Sequence, residues 1–255
     1  MVRLALILIV FTTGCSKELE SLFYIDPQKS ELYWPEDQLP IKVKLSESFT
    51  SNEQALFEEM VLEWEASAGC NLFEPSERVQ ELNFTKLSDY FYKDRENNGV
   101  YKPQQMIEEM DNTVLAASQL FLELENENDQ IKLFRIIHAD IVFNSYHFNF
   151  NEYPLEGEYD LKSLFLHEIG HFLGLFHSSD GIMKSGTGPG EIEDTISSLE
   201  SDTVFDKYGR FPASDLAEKG ISIPEGEKRT VKVILYKTVN KIDKAKFELL
   251  PAESN

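Results

Sequence analysis

Residues 167–177 read HEIGHFLGLFH and place three of the five histidines of the chain within a single short stretch. His167 and His171 are four residues apart, and residues at this spacing lie on one face of a helix with Cβ atoms about 5–6 Å apart. Gly174 can adopt the left-handed conformation that ends a helix. The stretch therefore predicts a helix that stops near Gly174 and a returning chain that brings His177 to the same point.

Three imidazoles held in this way form an open metal site. Imidazole nitrogens bind zinc at about 2.0–2.1 Å, and catalytic zinc sites keep their fourth position open to water. Glu168 lies beside the first ligand, where it can take a proton from that water and pass it to a leaving nitrogen. Two helical histidines alone are often surface residues, but the full pattern has on the order of 10⁻⁵ chance occurrences in a chain of this size. We therefore interpret the stretch as the zinc site of a peptide hydrolase.

The pattern HExxHxxGxxH, followed by Met183 six residues after the last histidine, resembles the metzincin clan of zinc peptidases. Within the clan the chain is most similar to the matrixins. ADIVFN at 139–144 resembles the strand that lines their substrate cleft, and DKYG at 206–209 resembles the end of their last catalytic-domain helix. The resemblance implies an α+β fold, in which a twisted mixed sheet of about five strands packs on an active-site helix and a C-terminal helix.

The resemblance also implies a role for each residue of the motif. The three histidines would bind one catalytic zinc ion, and Glu168 would be the general base. Met183 would be the Met-turn residue, a thioether packed beneath the imidazoles, and as a plain core methionine it would also be buried. The strand near Asp140–Asn144 would offer its edge to an extended peptide by β-augmentation. No individual substrate-binding side chain is assigned.

Several positions depart from the clan. Ser185 stands where astacin-like and serralysin-like members have a tyrosine ligand, so we expect no fifth protein ligand. His138 and His147 are interpreted as a strand residue and a loop residue, so a second zinc ion is not expected. Some acidic residues could collect calcium, but a solvated acidic loop is the preferred interpretation. These residues are Asp140, Glu152, Glu156, Glu158 and Asp160.

Two further features of matrixins are missing. No cysteine occurs between residues 16 and 69, so the cysteine-switch propeptide is absent and latency would need another device. KSGTGPG at 184–190 replaces the Pro-x-Tyr segment that follows the Met-turn in many matrixins, which leaves the shape of the S1′ wall open. Cys70 is interpreted as a small buried apolar group.

The first residues, MVRLALILIVFTTGC, combine one arginine with a short apolar run and then small residues, the layout of a secretory signal. The end of the run resembles the lipobox of bacterial lipoproteins, with Cys15 as the lipidated residue, although Thr12 replaces the usual leucine. Ser16 in place of aspartate points to the outer membrane, so we expect a lipid-anchored protein of the bacterial cell envelope. An ordinary cleaved signal, which would make the protein secreted, and a buried core cysteine are the alternatives.

Composition and patterning divide the rest of the chain. The prediction comprises a signal peptide at 1–15, a tether at 16–38, a peptidase domain at 39–210 and a C-terminal extension at 211–255. The formal net charge of −21 argues against a nucleic-acid partner, since phosphates favour clusters of lysine and arginine. We expect a monomer whose partners are a peptide or protein substrate and, through the lipid anchor, the membrane.

Periodicity and capping signals predict the main elements. A strand at 41–46 precedes a helix at 51–68 with a capping box at its start. Residues 120–143 read as two strands joined by a polar turn. A helix begins near Asp160, another runs from Ser197 to Tyr208, and TVKVILYKTV in the C-terminal extension reads as a strand.

The combined interpretation is a zinc endopeptidase on a cell-envelope lipoprotein. One alternative is a non-catalytic, metzincin-like lipoprotein that binds peptides, and an intact Glu168 argues against it. A second alternative is a structural lipoprotein with a fortuitous motif, which would hold no stoichiometric zinc.

Overall fold

A computed structural model of the chain describes residues 31–90, 98–127, 130–209, 230–239 and 244–249. The strands are β1 Glu31–Tyr33, β2 Val43–Ser46, β3 Glu77–Val79, β4 Asn98–Tyr101, β5 Val114–Glu127, β6 Gln130–Phe143, β7 Phe150–Asn151, β8 Tyr159–Asp160, β9 Thr230–Thr238 and β10 Lys244–Leu249. The helices are α1 Ser51–Ala68, α2 Leu87–Tyr90, α3 Leu161–Phe172 and α4 Ser198–Val204, with a 3₁₀ turn at Glu36–Gln38 and a π-helical turn at Phe205–Gly209. The predicted leader with Cys15 lies outside the described residues. None of the helices in the described part could cross a membrane.

Eight strands form one mixed sheet. Their order is β10-β9-β5-β6-β4-β2-β3, and β1 also pairs with β6. The pairs of β6 with β4 and β1, and of β2 with β4 and β3, are parallel, whereas β5 is antiparallel to both β6 and β9. Strands β7 and β8 form a separate short parallel pair. The architecture is α+β, as predicted, but the sheet has more strands than the five expected.

The predicted hairpin at 120–143 is confirmed by the antiparallel pair of β5 and β6. The prediction that the strand near Asp140–Asn144 offers a free edge is wrong. Residues 140–142 pair with β4 on one side and with β5 on the other, so this strand lies inside the sheet. Alternating hydrophobicity identifies a strand but does not determine which strands will flank it.

Helix α1 has the bounds that its sequence signals predict. The Thr50 hydroxyl accepts a hydrogen bond from the backbone of Glu53, whose carboxylate accepts one from the backbone of Thr50. Gly69 ends the helix in the left-handed conformation, with a φ of 73°. The buried face of α1 carries Trp64, whose indole nitrogen donates to the carbonyl of Leu166, 2.9 Å away. Helix α1 thereby packs against helix α3.

The N-terminal strand β1 belongs to the core, although residues 16–38 were predicted to be a tether. Leu32 is fully buried, and the Trp34 indole nitrogen donates to the carbonyl of Phe172 at 2.6 Å. The Tyr208 hydroxyl links the backbone of Trp34 to that of Leu173, at 3.2 and 3.0 Å. The sequence did not predict this strand, because Leu32 and Trp34 alone form too short an alternating pattern for periodicity to identify one.

The C-terminal strand β9 also belongs to the main sheet. It pairs antiparallel with β5 over Val114–Glu123, so the predicted boundary near residue 210 divides segments that share one sheet. The alternating pattern predicted the strand at 230–239 but not its place beside β5, because partner choice depends on contacts between residues far apart in sequence. Strand β9 therefore pairs with β5, the strand that also contacts helix α3.

Candidate metal centre

Helix α3 carries the site and is buried along almost its whole length. Its N-cap is Asp160, whose carboxylate accepts hydrogen bonds from the backbone and the hydroxyl of Ser163 at 2.7 and 2.5 Å. Burial raises the pKa of Asp160, and the two hydrogen bonds oppose that rise. Apolar residues on every side of α3 hold it between the sheet and helix α1. The site is thus built on a fixed helix inside the protein.

Gly174 turns the chain back after helix α3, as the sequence predicts. Its φ is 82°, and its N–H donates to the carbonyl of His171 at 2.9 Å. The next residue, Leu175, donates to the carbonyl of Gly170 at 3.0 Å. A Cβ at position 174 would lie 2.7 Å from the carbonyl oxygen of Leu32 in strand β1. Both the left-handed backbone and the close approach of β1 therefore require glycine here.

The turn brings the three predicted histidines together. One ring nitrogen of each lies within 4.8 Å of those of the other two. The Nε2 atoms of His171 and His177 are 3.1 Å apart, close to the roughly 3.4 Å that separates two nitrogens on one tetrahedral zinc ion. The Nε2 atom of His167 is buried and has no hydrogen-bond partner in the described structure. A metal ion at this point would give that nitrogen a partner.

Backbone carbonyls determine which nitrogens face the centre. The Nδ1 atoms of His167 and His171 lie 2.7 Å from the carbonyl oxygens of Ile182 and Leu175. Each Nδ1 therefore carries the proton and each Nε2 keeps its lone pair, the tautomer that a metal ligand needs. Burial lowers the pKa of both rings well below its usual value, and neighbouring cationic groups lower it further. Neutral imidazoles with inward lone pairs fit a divalent metal ion.

Glu168 follows His167 on α3 and is fully buried. The Ser118 hydroxyl of strand β5 donates to its Oε2 atom at 2.5 Å, whereas its Oε1 atom has no hydrogen-bond partner in the described structure. Burial raises the pKa of Glu168 to about 7, while the Ser118 hydrogen bond and the ammonium group of Lys237 lower it. A carboxyl with a pKa near neutrality can both accept and return a proton at physiological pH.

Met183 is buried in the turn after the third histidine, where an interior methionine was predicted. Its sulfur is so close to helix α3 that a Cβ on Gly170 would lie 2.4 Å from it. The Met183 N–H donates to the Glu200 carboxylate at 2.9 Å, and its carbonyl accepts from the N–H of Ser178 at 2.9 Å. The predicted capping box of helix α4 is also present, and it uses the same Glu200 carboxylate together with Ser197. Helix α4 thereby fixes the turn beneath α3.

Lys237 of strand β9 also reaches the site, and the sequence did not predict it. Its Nζ donates to the carbonyl of Lys184 at 2.5 Å and lies 3.4 Å from Nδ1 of His167. Burial lowers the pKa of Lys237 to about 8, against the attraction of Glu168. The sequence contained one indication that Lys237 is buried. In an alternating strand it lies on the same face as the apolar residue Leu235. Ser118 gave a similar signal, as one hydroxyl in an apolar strand.

The other candidate ligands have structural partners. His138 is a strand residue whose Nε2 lies 2.6 Å from the Asp140 carboxylate, and His147 is a loop residue whose Nδ1 lies 3.1 Å from Oδ1 of Asn144. The remaining calcium candidates are the helix cap Asp160, Glu158, which accepts a backbone hydrogen bond at its own turn, and the exposed Glu152 and Glu156. Across the described ranges, only the three histidines form a group of potential metal ligands.

Comparison with protein-family models finds no match for the chain. Comparison with curated proteins finds none either. The function is therefore inferred from the residues of the site and their geometry.

Proposed function

We propose that the protein is a zinc-dependent endopeptidase of the metzincin type, similar to matrixins and anchored in the bacterial cell envelope. The observation that carries the proposal is the meeting of three histidines whose nitrogens lie within 4.8 Å of one another, with the buried carboxyl residue Glu168 on the same helix as His167 and His171. The order of elements also agrees with the resemblance, because a mixed sheet precedes the helix with the motif and a final helix follows the methionine turn.

His167, His171 and His177 would hold the zinc ion. When bound, zinc supplies a Lewis acid that polarises a peptide carbonyl and lowers the pKa of water. Glu168 takes a proton from the attacking water and returns it to the leaving nitrogen, a role that suits its pKa of about 7. Its Oε1 atom, which has no protein partner in the described structure, is the atom available for this transfer.

Ser118 and the backbone carbonyls orient these groups. The Ser118 hydroxyl restrains one oxygen of Glu168 and leaves the other to the reaction. The carbonyl groups of Ile182 and Leu175 restrain the imidazoles of His167 and His171. Such outer contacts fix ligand orientation before substrate arrives, which reduces the reorganisation needed in the transition state.

The test is digestion of a denatured protein mixture by the purified chain and by its Glu168→Gln variant. We expect cleavage products from the wild-type chain and a loss of at least about 100-fold in the variant, since general-base catalysis contributes roughly 10²–10⁴. The variant should keep its zinc, because residue 168 is not a ligand. Zinc binding without cleavage of any substrate by the wild-type chain would instead support the peptide-binding alternative.

The lipid anchor is a separate part of the proposal and depends on Cys15. We expect the protein to fractionate with membranes and to be released when Cys15 is replaced by serine. A wild-type chain recovered wholly in the aqueous fraction would support an ordinary cleaved signal and secretion.

A further inference from the structure

Strand β9 holds the segment that follows Met183 against the sheet. The N–H of Thr238 donates to the carbonyl of Ser185 at 2.9 Å, and the N–H of Thr187 donates to the carbonyl of Thr238 at 3.1 Å. The strand itself is fixed, since it pairs with β5 on one side and, over residues 231–236, with β10 on the other. A side chain at the end of β9 can therefore act on this segment from a rigid position.

Lys237 is the side chain of β9 that reaches this segment beside the first ligand. Its ammonium group donates to the carbonyl of Lys184 at 2.5 Å and lies 3.4 Å from Nδ1 of His167. Lys237 is only 3% exposed, and a buried cation needs acceptors and counter-charges because it has lost its hydration. The Lys184 carbonyl is such an acceptor, and the carboxylates of Glu168 and Glu193 attract the same group. The ammonium group is therefore held on the Nδ1 side of the ring, away from the nitrogens that converge.

The ring of His167 has two neutral forms, and only one of them can bind a metal ion through Nε2. In the first form Nδ1 carries the proton and donates to the carbonyl of Ile182, 2.7 Å away. In the second form Nδ1 accepts from the Lys237 ammonium group, and the proton lies on Nε2, which then has no lone pair for a metal. The distance of 3.4 Å from that ammonium group is longer than an ordinary hydrogen bond. The distances therefore favour the first form.

The two carbonyls that take part belong to one short turn, in which Ile182 and Lys184 flank Met183. His167 binds the first carbonyl and Lys237 binds the second. Because the two carbonyls are so close along the chain, a shift of the second would also move the acceptor of the first metal ligand. Lys237 can thus act on His167 without being a ligand itself.

We propose that Lys237 is a positioning residue of the metal centre. Its ammonium group holds the Lys184 carbonyl, keeps the Ile182 carbonyl in line with Nδ1 of His167, and thereby fixes the metal-binding form of this ligand. Contacts of this kind outside the ligands orient a metal site, and removal of one typically costs about 10–100-fold in metal affinity. The inference rests on the proposed metal centre and extends it to the C-terminal strand β9.

The first test compares the zinc affinity of the full-length chain with those of its Lys237→Met and Lys232→Met variants. Methionine keeps an unbranched side chain and removes the ammonium group. Lys232 is paired with Phe121 and lies on the opposite face of β9, so it is the matched control. Competition with a chelating dye should show about 10–100-fold weaker zinc binding for Lys237→Met and unchanged binding for Lys232→Met. Equal zinc affinities in the two variants would overturn the inference.

A second measurement reads the protonated nitrogen of His167 directly, and a loss of stability alone would not change it. The metal-free chain is labelled with ¹⁵N-histidine, its long-range ¹H–¹⁵N spectrum distinguishes the two neutral forms, and His167→Ala assigns the signal. The wild-type chain should carry the proton on Nδ1, and Lys237→Met should show a mixture of the two forms. A wild-type chain with the proton on Nε2 would contradict the inference, even if Lys237→Met does not fold.

Neither measurement requires turnover. A chain that shows both expected results but cleaves no peptide would refute the proposed enzyme and support the role of Lys237. An active peptidase whose zinc affinity is the same with and without the Lys237 ammonium group would refute the role of Lys237 and leave the enzyme.

Discussion

Single side chains set the chemistry of the candidate metal centre. Glu168 is buried among apolar residues, and only the Ser118 hydroxyl and the Lys237 ammonium group oppose the resulting rise in its pKa. The imidazoles of His167 and His171 are buried as well, and burial keeps them neutral. The site therefore combines a proton acceptor poised near pH 7 with nitrogens that are free to bind a metal ion.

Replacing Ser118 by alanine should change the pH dependence of catalysis. The hydroxyl stabilises the ionised form of Glu168, so its loss raises the pKa of the carboxyl relative to the wild-type enzyme. The acidic limb of kcat/KM against pH should move to higher pH by about one to two units, since a hydrogen bond to a charged group contributes about 1.5–3 kcal/mol. Ser118→Thr keeps the hydroxyl and should behave like the wild type. An unchanged limb in Ser118→Ala would show that the hydrogen bond does not tune the base.

The sequence predicted those site residues that lie close to one another along the chain. His167, Glu168 and His171 lie on one helix, and a single glycine turn determines the return of His177. Ser118 and Lys237 could not be predicted in the same way. They reach the site from strands that are distant in sequence, and their positions follow from strand pairing, which a single sequence does not encode locally.

Elements set the geometry through a small number of close contacts. Helix α3 is fixed by its cap Asp160, by β1 against Gly174 and by the methionine turn against Gly170. Each glycine lies where a side chain would collide with a neighbouring element. Gly170 and Gly174 therefore allow helix α3 and its following turn to lie close to the methionine turn and to strand β1. This close packing fixes the orientation of the helix and of its histidines.

Gly174→Ala should be strongly destabilising, and Gly190→Ala is its matched control. Both glycines have a positive φ, 82° and 72°, so each substitution should cost about 1–2 kcal/mol of unfolding free energy. Only at Gly174 would the new Cβ lie 2.7 Å from Leu32, whereas nothing lies within 4 Å at Gly190. We expect a further loss of about 1–3 kcal/mol at Gly174 from this overlap.

Urea unfolding of the two variants measures this difference. The Gly174→Ala variant should also bind zinc more weakly, because the turn that returns His177 is displaced. Equal stability losses for Gly174→Ala and Gly190→Ala would show that strand β1 does not press on the turn.

Helix starts were predicted well, although the last α-helix ends at Val204 and not near Tyr208, where a π-helical turn follows. Sheet neighbours were not predicted. The capping boxes at Thr50 and Ser197 are local patterns, and the structure has both. The alternating pattern at 230–239 predicted a strand, yet its place beside β5 was unexpected. The same limitation produced the wrong assignment of a free edge to the strand near Asp140, because alternation does not specify pairing.

The whole molecule joins segments from far apart in the chain around the site. Leu32 of strand β1 and Trp34, which follows that strand, are buried in the core near helix α3, and β9 joins the sheet between β5 and β10. Residues on each side of the predicted 39–210 domain therefore contribute to the same sheet. Substitutions in the β1 segment or in β9 should consequently affect the stability of the site.

A chain that begins at Glu36 should be much less stable than one that begins at Glu31. The shorter chain lacks β1 with the buried Leu32, and it also lacks the buried Trp34 with its hydrogen bond to the Phe172 carbonyl. Loss of one large buried side chain costs about 2–5 kcal/mol, so we expect a fall in unfolding free energy of at least about 4 kcal/mol. Denaturant unfolding measures it, and similar midpoints for the two chains would contradict the assignment of β1 to the core.

Removal of zinc should destabilise the folded protein. A ligand that binds only the native state stabilises it by about 2.7 kcal/mol when its free concentration is 100 times its Kd. Thermal unfolding in zinc and in chelator should therefore give a higher Tm with zinc for the wild-type chain. His177→Ala loses one of the three ligands and should show a much smaller difference. A zinc effect of the same size in this variant would place the metal elsewhere.

The most direct test is the zinc content of the purified chain, measured beside that of the His177→Ala variant after both have been equilibrated with zinc and separated from the free ion. Three converging imidazoles beside Glu168 predict about one zinc ion per wild-type chain and a clear loss of zinc in the variant. A wild-type chain that retains no zinc, or a variant that retains as much as the wild type, would contradict a metal centre at these three histidines.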